Sequence, residues 1–261
     1  MIIILSFLLL VIILILLILN FIKCNNEKLT NLINIPNIPI VIIAYNNYTF
    51  VKNFIYQLLH LKNNIIIIDN NSTYKPLLSF YNYISNYYNI KVIKLNKNYG
   101  HEVYLKRKDL LPNIYILSDP DLKLNNNMPK NVSDILYNLS NHYKKFKVGL
   151  CLDISDSHLF INTTNYMNIK NMTIENWEKK FWEKKIINKK YELYNANIDT
   201  TFTLVNWNYY KNNKYDGIRI GKNFTAKHLP WYKNYIEYNI PNEELKFMKN
   251  NNTSSTIFNK I

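Results

Sequence analysis

Between residues 38 and 118, short apolar runs alternate with stretches of helical periodicity. Residues 38–44 (IPIVIIA) and 64–68 (NIIII) are apolar at nearly every position, as strands covered on both faces must be. A turn at Tyr45-Asn46-Asn47-Tyr48 separates the first run from a helix in which Phe50, Phe54, Leu58 and Leu61 recur at helical spacing, with Thr49 placed to cap it. Pro76 opens a Tyr-rich helix to about Tyr88, residues 90–95 form a third strand, and a short helix precedes a fourth strand at 113–118. Strands alternating with helices predict a parallel sheet with right-handed crossovers, hence a Rossmann-like α/β domain with a mostly parallel central sheet.

In open sheets of this class, ligands sit beyond the carboxyl ends of the strands. Three loops at that edge carry Asp69, Asn98-Tyr99-Gly100, and the pair Asp119 and Asp121. The last two flank Pro120, whose missing N–H suits a strand exit rather than a strand interior. Two carboxylates so spaced can share one hard divalent cation and leave room for phosphate oxygens. A lone D-x-D is also the composition of a solvated turn, so the order of elements before it carries the reading. No G-x-G-x-x-G or Walker sequence is present, which excludes ordinary dinucleotide-binding and P-loop proteins.

Beyond the carboxylates, residues 132–146 have helical character and 147–154 (KVGLCLDI) read as a buried strand. Residues 174–190 form a basic helix whose Trp177, Phe181 and Trp182 present a membrane-surface face or pack on the domain. Residues 199–204 read as a strand opening on Asp199, and 221–232 (GKNFTAKHLPWY) as an aromatic-rich loop carrying His228. The net charge of +14 comes from Lys scattered among abundant Asn, Ile and Tyr, in the manner of A+T-rich coding, and no nucleic-acid motif accompanies it. Cys24 and Cys151 are too few for a disulfide framework.

At the N-terminus, residues 2–22 are apolar except for Ser6 and Asn20, long enough to cross a bilayer and without the pattern of a cleaved signal peptide. The expected organisation is a transmembrane anchor at 1–23, a tether at 24–37, one domain at 38–249 and a disordered Asn/Ser/Thr-rich tail at 250–261. Lys23 and Lys28 follow the anchor with no basic residue before it, which favours a cytosolic domain. Glycosylation acceptors at Asn70 and Asn71, directly beside Asp69, point the same way, since a glycan there obstructs the proposed pocket.

The ordered set PIVIIAYNN, IIIIDNNST, an N-Y-G loop and a strand ending in DPD resembles the nucleotide-diphospho-sugar glycosyltransferases of the GT-A fold, with family 2 as nearest kin. The resemblance covers residues 38–122 best and continues through Asp199-Thr200-Thr201-Phe202 and residues 226–231. It implies a metal-dependent, inverting transfer from a nucleotide-diphosphate sugar to a hydroxyl of a glycan, protein or lipid acceptor. By resemblance, Asp69 hydrogen-bonds the base, Tyr45 lies beside it, and the Gly100-His101 loop approaches the sugar or diphosphate. Asp119 faces the ribose or reaches the metal through water, Asp121 binds Mn²⁺ or Mg²⁺ directly, and His228 is a late metal ligand. Asp199 is the candidate base for the acceptor hydroxyl, with Asp153 and Asp156 as rivals. The chain departs from the family in its longer Asp69-Asn70-Asn71-Ser72 loop and in having only Ile198-Asp199 where an acidic pair is usual. Two other classes stay open: a nucleotidyltransferase acting on a sugar phosphate, whose Gly-rich basic signature is missing after the first strand, and a non-catalytic anchored glycan-binding module.

Overall fold

The computed structural model describes residues 15–20 and 37–251. The chain divides into two units, residues 1–37 and 38–261. In the first, residues 15–20 are helical with exposed side chains. Otherwise the expected anchor and tether fall outside the described residues, as does nearly all of the tail at 250–261. No helix among the described residues is long and apolar enough to cross a membrane.

The second unit is a mixed α/β domain. Its strands are β1 (Ile40–Ala44), β2 (Ile65–Asp69), β3 (Ile90–Lys94), β4 (Ile114–Ser118), β5 (Leu122–Leu124), β6 (Lys147–Leu152), β7 (Lys185–Ile186), β8 (Leu193–Asn195), β9 (Thr203–Asn206) and β10 (Gly217–His228). They join in one sheet of order β3-β2-β1-β4-β9-β6-β10-β8-β7, with β5 paired to β10. The pairs β1–β2, β2–β3, β1–β4 and β6–β10 are parallel. Strand β9 runs antiparallel to both β4 and β6, a reversed strand within the parallel run, and β5 and β8 run antiparallel to β10. The sequence alternation anticipates the first four strands and misses that reversal.

The α-helices are α1 (Tyr48–Leu58), α2 (Lys75–Ile84), α3 (Val103–Lys106), α4 (Val132–Tyr143), α5 (Ile174–Lys179), α6 (Lys233–Asn239) and α7 (Asn242–Asn250). Every residue of β1 is buried, which is why its sequence is unbroken Ile, Val and Ala. Helix α1 buries Phe50, Val51, Phe54, Ile55 and Leu58, a stripe at helical spacing. One core cluster joins Val41, Ile68, Tyr104, Tyr115 and Phe146. A second joins Phe50 to Leu229, Ile236 and Met248, fastening the C-terminal helices to α1.

Several local expectations change. Thr49 lies inside α1 and does not cap it: its N–H and hydroxyl donate to Glu244 at 2.7 and 2.6 Å, so the carboxylate of α7 serves the helix start. The basic helix expected over 174–190 stops at Lys179, because the chain turns through a 3₁₀ segment into the edge strands β7 and β8. Its rings pack on the domain: Trp177 meets Tyr166, Trp182 meets Tyr194, and the Arg219 guanidinium lies 4.0 Å from the Phe181 ring centre. The aromatic loop expected over 221–232 instead forms the last eight residues of the twelve-residue strand β10, followed by a 3₁₀ turn at Leu229–Trp231.

Candidate active site

Parallel pairing aligns Ala44 with Asp69 and Asp69 with Lys94, while Ser118 pairs with Ile42. The carboxyl ends of β1, β2, β3 and β4 therefore share one edge, and the loops beyond it collect the residues singled out by sequence.

On the β2 side, Asp69 is 1% exposed, and its two oxygens accept from the Ser72 N–H at 2.9 Å and the Tyr81 hydroxyl at 3.0 Å. Asn46, in the left-handed region at φ 54°, accepts from the N–H groups of Thr73 and Tyr74 and donates its own N–H to Ser72. Its side-chain amide nitrogen is buried without a partner. Asn70 ties this loop to the next: its amide donates to the Gly100 carbonyl at 3.1 Å, and its oxygen accepts from the Tyr99 N–H at 3.2 Å. Gly100 takes φ 73° with open space where a side chain would stand, so the turn needs its backbone freedom. Asp69 thus holds the shape of the loop beside half-buried Tyr45, with Asn71 in the left-handed region at φ 65°.

On the β4 side, the chain leaves the sheet at Ser118 and re-enters it at once as β5. That short strand was not anticipated. Gln57 of α1 holds it like a neighbouring strand, donating to the Leu122 carbonyl at 3.1 Å and accepting from the Leu124 N–H at 2.9 Å. Strand β5 pairs with β10 in the register Leu122↔His228 and Leu124↔Ala226, and the Leu229 N–H donates to the Asp121 carbonyl at 2.9 Å. This register brings residues 107 positions apart together: His228 Nε2 lies 3.4 Å from Asp121 Oδ2.

The other atoms of the pair, Asp121 Oδ1 and His228 Nδ1, are buried without hydrogen-bond partners. Two ligands in neighbouring positions around one hard cation at ~2.1 Å lie about 3 Å apart. The 3.4 Å between Asp121 Oδ2 and His228 Nε2 is close to that ligand spacing. No group of three His, Cys, Asp or Glu close enough to hold a metal occurs among the described residues. Asp119 is engaged elsewhere: its carboxylate accepts from the Thr200 hydroxyl and its N–H donates to the Thr200 carbonyl. Burial, then the Asp121 and Asp199 carboxylates, push Asp119 well above the usual carboxylate range, against the hydrogen bond from Thr200 and the charge of Lys147.

A cavity of about 980 Å³ opens on this edge, lined among others by Asp119, Asp199, Thr200, Glu178, His228 and Trp231. Asp199 stands in the turn before β9 rather than at its first residue. Phe202, at φ 37° and fully buried, closes that turn with its ring 6.4 Å from the Phe54 ring. Neither rival carboxylate lines the cavity. Asp153 accepts from the Ser155 N–H at 2.9 Å. Asp156 binds Lys227 and the Tyr232 hydroxyl, and although burial raises it, these partners hold it below the usual range. Sequence reading missed three side chains here. Glu178 and Arg219 form a buried ion pair in the cavity wall, and Lys147 lies buried beneath Asp199. Each sits in a stretch whose apolar or basic composition hides it.

Residues 40–105 match the family model described as Glycosyl transferase family 2. The matched stretch is that of a glycosyltransferase. It contains Tyr45, Asp69 and Gly100 and ends before Asp119, so the resemblance read from the sequence holds over the first three strands. No curated protein matches the chain. Among solved structures, the chain is similar to the mannosyltransferase PcManGT from Pyrobaculum calidifontis in complex with GDP-Man and Mn²⁺, at 8% identity and a TM-score of 0.47, over 87% of this chain and 68% of that one. It is also similar to GalNAc-T7 with UDP, GalNAc and Mn²⁺, at 10% identity and a TM-score of 0.45, over 76% of this chain and 47% of that one. The chain thus spans about half the length of the second structure.

Proposed function

We propose that the protein transfers a sugar from a nucleotide-diphosphate donor to an acceptor hydroxyl, with inversion and with help from Mn²⁺ or Mg²⁺. The observation that carries this reading is the Asp121–His228 pair, set by the β5/β10 register, whose histidine lines the same cavity as Asp199. The base would enter beside Tyr45 and the loop that Asp69 shapes, and the diphosphate would cross the Gly100 turn toward Asp121. A cation held by Asp121 and His228 supplies Lewis-acid stabilisation to the departing diphosphate. Asp199 accepts the proton of the acceptor hydroxyl as its oxygen bonds to the anomeric carbon. The bond from that carbon to the diphosphate oxygen breaks, and its electron pair leaves with the nucleoside diphosphate. Residues 1–23, as read from sequence, would tether the domain to a membrane with the site in the cytosol.

The test is a thermal-shift screen of the full chain against uridine and guanosine diphosphate sugars, with Mn²⁺ or with EDTA. Stabilisation by at least one donor only when metal is present supports the reading. Stabilisation that is equal in EDTA removes the metal-bridged diphosphate, and binding of a glycan with no nucleotide affinity favours a non-catalytic module.

A further inference from the structure

Lys147, the first residue of β6, is fully buried. Its ammonium has three donors and meets three acceptors: the Tyr104 hydroxyl at 3.1 Å, the Asp199 carbonyl at 3.0 Å and the Ile198 carbonyl at 3.4 Å. None of these is a carboxylate. Burying a charge without a directly bonded counter-ion costs several kcal/mol, so a chain selected for stability alone would place an apolar residue here. Burial lowers Lys147 and the nearby Asp199 and Asp119 carboxylates oppose it, with a net fall to about 8.

The residues around Lys147 suggest what it does. Ile198 packs against two glycines, and a Cβ added at Gly149 or at Gly217 would meet its side chain at 2.5 Å. The chain just before Asp199 therefore sits in a slot between β6 and β10, and Lys147 ties down its two carbonyls from below. On the other side, Tyr104 belongs to α3, whose Val103 N–H donates to the Gly100 carbonyl at 3.2 Å. One ammonium thus connects the turn that presents Asp199 with the helix that follows the Gly100 loop.

We propose that Lys147 is a positioning residue, holding Asp199 in register with the Gly100 loop across the junction between donor and acceptor. This rests on the glycosyltransferase reading above, in which those two elements flank the reacting bond. Misplacing a reacting group by about 1 Å can cost on the order of 10²-fold in rate, so loss of this tie should be read in turnover rather than in donor affinity.

The experiment compares the full-length wild type with Lys147→Met, Lys147→Gln and Tyr104→Phe. Amide hydrogen exchange is followed over residues 196–203, and nucleoside diphosphate release is measured from the donor that stabilises the wild type. The expected result for Lys147→Met is exchange across that turn faster by roughly ten-fold, with β1 and β2 unchanged. Its kcat should fall by about 10²-fold while the donor KM holds, with Tyr104→Phe giving a smaller loss of the same kind. Unchanged exchange across the turn in Lys147→Met, or a donor KM that rises as far as kcat falls, overturns the proposal. If Lys147→Met does not fold, Lys147→Gln and Tyr104→Phe decide by the same two readouts. A wild type that neither binds nor turns over any donor defeats the glycosyltransferase reading, and the exchange comparison still decides whether Lys147 holds the turn.

Discussion

Asp121 keeps one buried carboxylate oxygen without a partner, while its other oxygen faces His228. An unpaired buried acceptor is costly, and the proposed cation would give this carboxylate the partner it lacks. Asp121→Asn should therefore lower turnover by about 10²-fold or more, since a preorganised electrostatic contact of this kind is worth ~3–4 kcal/mol. Its melting temperature without metal should hold or rise. Steady-state release of nucleoside diphosphate alongside a thermal melt checks both halves, and normal turnover would reduce Asp119-Pro120-Asp121 to a turn. Asp199→Asn should separate from it: a group that accepts the acceptor proton lowers kcat and leaves donor affinity intact. Calorimetric titration of the donor into that variant is the check, and a collapse of affinity would move Asp199 into the metal or nucleotide site. Sequence alone could single out Asp69, Asp119 and Asp121 by their place after apolar runs, and Asp199 by its place before one. It could not show that Asp69 faces inward, because its partners Ser72 and Tyr81 are fixed by the loop's path and by α2.

At the level of elements, two side chains make contacts between distant segments: Gln57 holds the strand beside the proposed metal pair, and Glu244 joins α7 to the start of α1. Gln57 occupies the edge of β5 that faces away from β10, and the opposite edge of β5 fixes the register that delivers His228. Gln57→Leu removes those hydrogen bonds and is expected to weaken Mn²⁺-dependent donor binding while leaving metal-free nucleotide contacts alone; thermal shifts with and without Mn²⁺ measure the difference. Glu244 of α7 is fully buried and accepts two hydrogen bonds from Thr49. Hydrogen bonds to charged groups contribute ~1.5–3 kcal/mol each, so Glu244→Ala should cost about 3 kcal/mol after relaxation. For a domain of this size that is a fall of roughly 6–12 °C in melting temperature. Glu244→Gln, which keeps an acceptor for the Thr49 N–H, should lose clearly less. Neither element contact was legible in the sequence. A three-residue strand such as LKL leaves no periodic signal, and a Gln on a helix gives no sign that it will pair with a strand 65 positions away. The long strand β10 was hidden for a related reason: its last eight residues, GKNFTAKH, carry Gly and Asn, which ordinarily mark loops.

For the whole molecule, the legible part is the part built from local repetition. Strands β1 to β4 and the helices between them follow from period and spacing, because crossover connections force each parallel strand into a buried, apolar run. The match to Glycosyl transferase family 2 over residues 40–105 falls on most of that stretch. From β5 onward, pairings join distant segments: β9 enters between β4 and β6, and β10 pairs with β6, β5 and β8. The candidate site lies where the two regimes meet. The carboxylates could be anticipated from the sequence; the buried Glu178–Arg219 pair in the cavity wall, and Lys147 bonded to the Asp199 carbonyl, could not. The central claim is that the two halves converge on a cation shared by Asp121 and His228. Isothermal titration of a nucleotide-diphosphate sugar into the full chain with Mn²⁺, repeated in EDTA and with Asp121→Asn and His228→Ala, tests it most directly. The account predicts donor binding that requires Mn²⁺ and is weakened by about 10²-fold in each variant. Equal donor affinity across all four measurements would contradict it.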